Sequence, residues 1–122
     1  MLSLLTSPLR RPPLLRSLST LPHALSLSSR NEEVKKLKKW KDLMPSRDAI
    51  HREFYFKDFS EAWSFMSRIS LLSESLDHHP EWSNIYNTVS ITLTTHDTGG
   101  VSMKDLEMGR ECDRYADMLD KS

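Results

Sequence analysis

Thr88-Val89-Ser90-Ile91-Thr92-Leu93-Thr94-Thr95 alternates between hydroxyl and apolar side chains as far as Thr94. Successive side chains of a strand point to opposite faces, so Val89, Ile91 and Leu93 share one face and Ser90, Thr92 and Thr94 the other. One apolar and one hydroxylated face describe an antiparallel sheet covered on a single side. Just before it, Trp82–Tyr86 predicts a shorter strand joined by a tight turn near Asn87, and Gly99-Gly100 closes the segment after it. Further upstream, Ala49–Phe56 predicts a strand in which Ile50, Phe54 and Phe56 share one parity that Arg52 interrupts. His51, beside Glu53 and Tyr55 on the other parity, reads as an exposed strand histidine without a role.

Helical patterns flank these strands. Asp58-x-x-Glu61 resembles a capping box, and Phe59, Ala62, Trp63, Met66, Ile69 and Leu72 follow as a core-facing stripe. That helix should end near Ser75, because Pro80 lies beyond it. A second long helix is predicted from Ser102 to about Leu119, with Ser102-x-x-Asp105 able to cap its first turn. Its buried stripe is Leu106, Met108 or Gly109, Cys112, Tyr115, Ala116 and Leu119. Asn31–Trp40 predicts a shorter helix, with Val34 and Leu37 docking on the core and the lysines of Lys35–Lys41 forming a solvated face. The order helix, strand, helix, strand, strand, helix makes an α+β fold, a small antiparallel sheet with its helices on one face. The remaining sheet edges need cover, which predicts a homo-oligomer.

At 122 residues the chain is one domain, and its apolar runs fall far short of the ~20 residues of a membrane helix, so no membrane partner is expected. The formal net charge is zero but unevenly spread: residues 1–30 hold Arg10, Arg11, Arg16, Arg30 and no acid, leaving 13 basic against 17 acidic residues in the rest. An acidic body is a poor match for nucleic acid, where phosphate neutralisation dominates affinity. The Leu- and Ser-rich, acid-free stretch 1–30, broken by Pro8, Pro12, Pro13 and Pro22, reads as a disordered transit peptide. Its arginines favour the mitochondrial matrix over the plastid, with cleavage between about Leu18 and Arg30 and a folded body over 31–122. The single Cys112 excludes an intrachain disulfide, and its place on an apolar stripe makes it a packing residue.

Two polar segments stand apart from this scaffold. Glu74-Ser75-Leu76-Asp77-His78-His79-Pro80-Glu81-Trp82 follows the first long helix, and Thr95-His96-Asp97-Thr98-Gly99-Gly100 follows the alternating strand. Three of the five histidines lie in them, at element ends, where binding groups commonly sit. Surface histidines in loops, a metal site and metal-free acid–base chemistry are the three readings. Adjacent His78 and His79 lack the helical spacing of a zinc motif, and no cysteine pair accompanies them. Imidazoles titrate near neutrality, so one can donate a proton while another accepts one, with Asp77, Glu74 and Asp97 able to orient them.

Phe54-Tyr55-Phe56-Lys57-Asp58-Phe59, Ala62, Phe65-Met66, Asp77-His78-His79-Pro80-Glu81-Trp82, Tyr86, Thr95-His96 and Asp105 together resemble the pterin-4a-carbinolamine dehydratase family. The likeness runs from about Trp40 to Leu119. It implies an α+β fold with a four-stranded antiparallel sheet, assembly as a homodimer or homotetramer, and dehydration of a 4a-hydroxytetrahydropterin with no metal and no cofactor. By position it makes His78, His79 and His96 catalytic, with His78 and His96 as the acid–base pair and His79 serving binding and charge stabilisation. Glu74, Asp77, Pro80, Trp82, Thr95, Asp97 and Asp105 are then substrate-binding or orienting residues. For Trp82, core packing is the alternative, and for Asp105, helix capping. Lys39 stands where the family carries Gly before the residue matched to Trp40, and the first helix looks shortened. The same resemblance carries two rival roles: a dimerisation cofactor of a transcription factor, and a pterin-binding role in molybdopterin metabolism.

Overall fold

The computed structural model describes residues 24–120, so the leader reading over residues 1–23 lies outside the described residues. The elements are α1 (Leu27–Lys36), β1 (Lys41–Asp42), β2 (Ile50–Tyr55), α2 (Phe59–Leu76), β3 (Glu81–Ile85), β4 (Thr88–Leu93), a 3₁₀ turn (His96–Thr98) and α3 (Met103–Asp120). The four strands pair antiparallel in the order β1-β2-β4-β3. This is the α+β fold read from the periodicities, with one strand more than alternation shows. β1 is only Lys41–Asp42, too short to alternate.

The alternation in β4 does what its chemistry demands. Val89, Ile91 and Leu93 are fully buried with Ile50 and Phe54 of β2, while the hydroxyl face stays half-exposed. On that outer face His51 Nδ1 lies 2.8 Å from the Thr92 hydroxyl of the paired strand. Arg52, the break in the β2 pattern, is accommodated inward. Its guanidinium lies 4.0 Å from the Phe54 ring centre and pairs with Asp113 of α3, which also accepts from Trp40 Nε1 at 2.8 Å. A partly buried cation needs such partners.

Asp58 caps α2 as read, its Oδ1 accepting from Glu61 N at 2.8 Å, while Glu61 Oε1 takes Lys57 N at 3.1 Å. The stripe read for α2 needs correction. Phe59 and Trp63 are about half exposed and stack on each other, while Phe65, outside that stripe, is fully buried. The true buried face is Ala62, Phe65, Met66, Ile69 and Ser73, one stripe at helical spacing. On α3, Leu106, Met108, Gly109 and Cys112 are buried, and Tyr115, Ala116 and Leu119 pack partly against the same core. Burial pushes the Cys112 thiol far above its ordinary range, which suits packing rather than nucleophilic chemistry.

The first helix also lies earlier than read. Ser26 accepts from Ser29 N and starts it at Leu27, and it ends at Lys36, so Trp40 is buried beyond its end. Arg30, counted with the leader on charge alone, is a buried residue of α1. Val34 and Leu37 dock on the core as expected.

Candidate active site

Both histidine-bearing segments lie at one end of the sheet, where β3 begins and β4 finishes. α2 closes with Asp77 in a left-handed conformation (φ 50°), and His78 N bonds back to Ser73 O at 3.0 Å. That closure reverses the chain at once, and the next side chain, His78, is only 8% exposed. Beyond β4, Thr95 and Gly100 exchange two backbone bonds, at 3.0 and 3.1 Å, tying off a small loop that presents His96 and Asp97 on the 3₁₀ turn.

Asp105, fully buried in the first turn of α3, joins the two segments. Its Oδ2 accepts from Ser102 N (2.9 Å) and Thr95 Oγ1 (2.6 Å), and its Oδ1 lies 2.5 Å from His78 Nε2. Because Thr95 spends its hydrogen on Asp105, the Ser102 hydroxyl donates to Thr95 at 2.7 Å, and Ser102 Oγ accepts in turn from Lys104 N. Capping and site-building therefore share one carboxylate: Oδ2 closes the helix start and Oδ1 fixes the imidazole. With Asp105 as acceptor throughout, the hydrogen sits on His78 Nε2, leaving Nδ1 as the ring's other working nitrogen.

The other two rings are accessible. His79 is 58% exposed, and its Nε2 lies 2.8 Å from Glu74 Oε1 on the last turn of α2. His96 is exposed on its turn. It acts electrostatically on Glu81, whose carboxyl lies below its usual range chiefly because Arg47 donates to it, with a smaller contribution from His96. So His78, Thr95 and Asp105 form one bonded cluster, His79 and Glu74 a second pair, and His96 stands exposed on the turn that follows Thr95.

Asp77 and Asp97 are exposed and Pro80 is half-buried. Trp82, for which pocket wall and core were both open, packs partly buried against the core cluster. Two participants were not read as site residues. Ser102 supplies the bonded bridge between Thr95 and the helix start; its Ser-x-x-Asp spacing signalled a cap but not a link to the histidines. Arg47 holds Glu81 from a loop charge with no distinguishing pattern around it. Among the described residues no group of three or more His, Cys, Asp or Glu side chains is placed to hold a metal ion.

Residues 23–115 match the family model described as pterin 4 alpha carbinolamine dehydratase. The chain belongs to that family. All ten candidate positions, from Glu74 to Asp105, fall inside the matched span of this dehydratase-family chain. A Bradyrhizobium sp. (strain BTAi1) protein, provisionally named a pterin-4-alpha-carbinolamine dehydratase, is 48% identical over 92 residues, covering 75% of this chain and 92% of its own. A Jannaschia sp. (strain CCS1) protein with the same provisional name is 48% identical over 77 residues, 63% of this chain and 78% of its own. The crystal structure of a transcriptional coactivator/pterin dehydratase from Brucella melitensis has a TM-score of 0.72 at 45% identity, covering 77% of this chain and 99% of that one.

Proposed function

We propose that this pterin-4a-carbinolamine dehydratase family member removes water from a 4a-hydroxytetrahydropterin, giving quinonoid dihydropterin, in the recycling of a tetrahydropterin cofactor. The reaction breaks the bond from C4a to the hydroxyl oxygen, which takes up a proton and leaves as water. A ring nitrogen gives up its proton, and its electron pair replaces the bond lost. One acid and one base meet that need, and no electrons enter or leave.

The observation that carries this reading is the pairing of His78 with buried Asp105 beside the loop that presents His96. A carboxylate on Nε2 holds the His78 ring and tautomer fixed and leaves Nδ1 to exchange a proton. His96 is the second member of the pair. His79, with Glu74, binds and stabilises charge, and Asp77, Pro80, Trp82, Thr95 and Asp97 shape or contact the pterin edge. The test is stopped-flow dehydration of chemically generated 4a-hydroxytetrahydropterin. Wild type should exceed the uncatalysed rate, and His96→Ala should cut turnover by a factor of about 10². A wild-type rate equal to background would sink the reading, and an unimpaired His96→Ala would remove that residue from it.

The Brucella relative's double designation and the exposed Phe59–Trp63 stack on α2 favour a second reading, docking of a helical partner or a second copy of the chain. Purified protein that lacks dehydration activity yet forms a stable complex with a helical partner would reverse the order. A mitochondrial leader also stays a proposal, and the named relatives, all bacterial, lend it no support. Since Ala24 and Arg30 are tied into the fold, a processing site before Ala24 is the compatible one. A fluorescent fusion of residues 1–35 that stays diffuse in the cytosol would remove it.

A further inference from the structure

Arg30 is the bulkiest of the fully buried side chains among the described residues, 2% exposed, although nothing in the proposed chemistry uses it. Its Nη1 and Nη2 grip Asp42 in a two-pronged pair at 2.6 and 2.8 Å, and its Nε donates to Asp48 Oδ1 at 2.7 Å. These bonds hold the guanidinium charged and keep Asp42 below the ordinary carboxylate range.

What Asp48 does next matters more. Its Oδ1 also accepts from Val101 N at 3.3 Å, and its backbone carbonyl accepts from Thr94 Oγ1 at 2.9 Å. Its Oδ2 fills the space left by the missing side chain of Gly100, where a Cβ would fall 2.0 Å away. Thr94 and Val101 flank the loop that carries His96. Asp48 therefore holds that loop at both feet, and Arg30 holds Asp48. The chain before Arg30 adds a second tie, because Ala24 forms an antiparallel bridge with Ser102, the residue that bonds Thr95 and Asp105. A hollow of about 240 Å³ is lined by Ala24, Leu27, Arg30, Asp48, Thr98 and Val101.

We propose that Arg30 is a positioning residue for the reaction: through Asp48 it sets the placement of the His96 loop against the His78–Asp105 pair. This rests on the dehydratase reading above. Near-isosteric variants of the full-length chain test it. Arg30→Lys keeps the charge but loses the fork, and Asp48→Asn keeps the shape and the Val101 contact but loses the ion pair. Each is compared with wild type in the stopped-flow dehydration assay, with the folded fraction read by circular dichroism. The histidine ring signals are followed by NMR across pH 5–8, and His96 is assigned by its loss in His96→Ala.

A displaced loop lowers kcat by a factor of about 10 to 100, changes KM far less, and moves the His96 titration while the folded fraction stays at wild-type level. A purely structural role gives activity that tracks the folded fraction, recovers fully on cooling, and leaves the His96 titration of the folded molecules unchanged. That result overturns the proposal, as does wild-type kcat in both folded variants. If either variant folds poorly, the ring titration of its folded population decides. Failure of the dehydratase reading is distinct, because wild type itself would then show no rate above background.

Discussion

At the scale of single residues, Asp105 is the atom-level junction of the site, and its two oxygens divide the work. Replacing it with Asn keeps the size but offers one acceptor where Ser102 N, the Thr95 hydroxyl and His78 Nε2 all donate. One donor is then left facing the amide NH₂, a buried mismatch costing about 1–3 kcal/mol. Asp105→Asn should therefore lose both stability in urea denaturation and at least tenfold in turnover. His96→Ala, at an exposed position, should lose turnover with stability within about 0.5 kcal/mol of wild type. Equal stability of Asp105→Asn and wild type would mean the carboxylate is not the hub described. The histidine-bearing segments stood out in the sequence by residue type, whereas Asp105 became a site candidate only through the family resemblance. The choice between capping and site-building for Asp105 was not legible, because spacing cannot show that two oxygens of one side chain serve different partners. Ser102 escaped notice as a site residue for a similar reason, since a hydroxyl in a cap position looks the same whether or not it also touches a threonine across the loop.

At the scale of elements, the strongest patterns were the most informative. The β4 alternation and the Asp58 cap both appear where their chemistry puts them. Asp58→Ala removes the acceptor for Glu61 N and should lower the unfolding free energy by about 1 kcal/mol, measurable by denaturant titration. An unchanged midpoint would show that Glu61 alone suffices to close the helix start. The α2 stripe was misread because Phe59 and Trp63 are large apolar residues near the correct phase, and size drew them in. The helix geometry instead turns Phe65 inward and leaves those two on the flank. β1 was invisible because two residues carry no period. α1 was displaced because its cap, Ser26, lies in a serine-rich stretch that reads as leader by composition.

At the scale of the whole molecule, the opposed charges of the first thirty residues and the body hide a specific tie. Arg30 was grouped with the basic leader, yet it binds Asp42 and Asp48 inside the fold. Folding holds Asp42 below its ordinary range, first through the hydrogen bond from Arg30. The native state thus resists protonation there. Its contribution is complete above the unfolded value near pH 4 and is lost as pH falls through the lower folded value. Asp42→Asn should be less stable than wild type at pH 7 but should lose less between pH 5 and pH 3. Parallel stability curves for the two proteins would count against the clamp.

The lone thiol of Cys112 supplies a built-in reporter of these effects. It is fully buried on α3, and burial pushes its ionisation far above neutral pH. A maleimide or an aromatic disulfide reagent should therefore modify the protein only during excursions that expose α3 to solvent. The rate of that modification would measure how often the interior opens, on unlabelled native protein and without denaturant. Fast labelling at the speed of a free thiol would reveal a core far looser than the packing around Leu106 and Met108 describes.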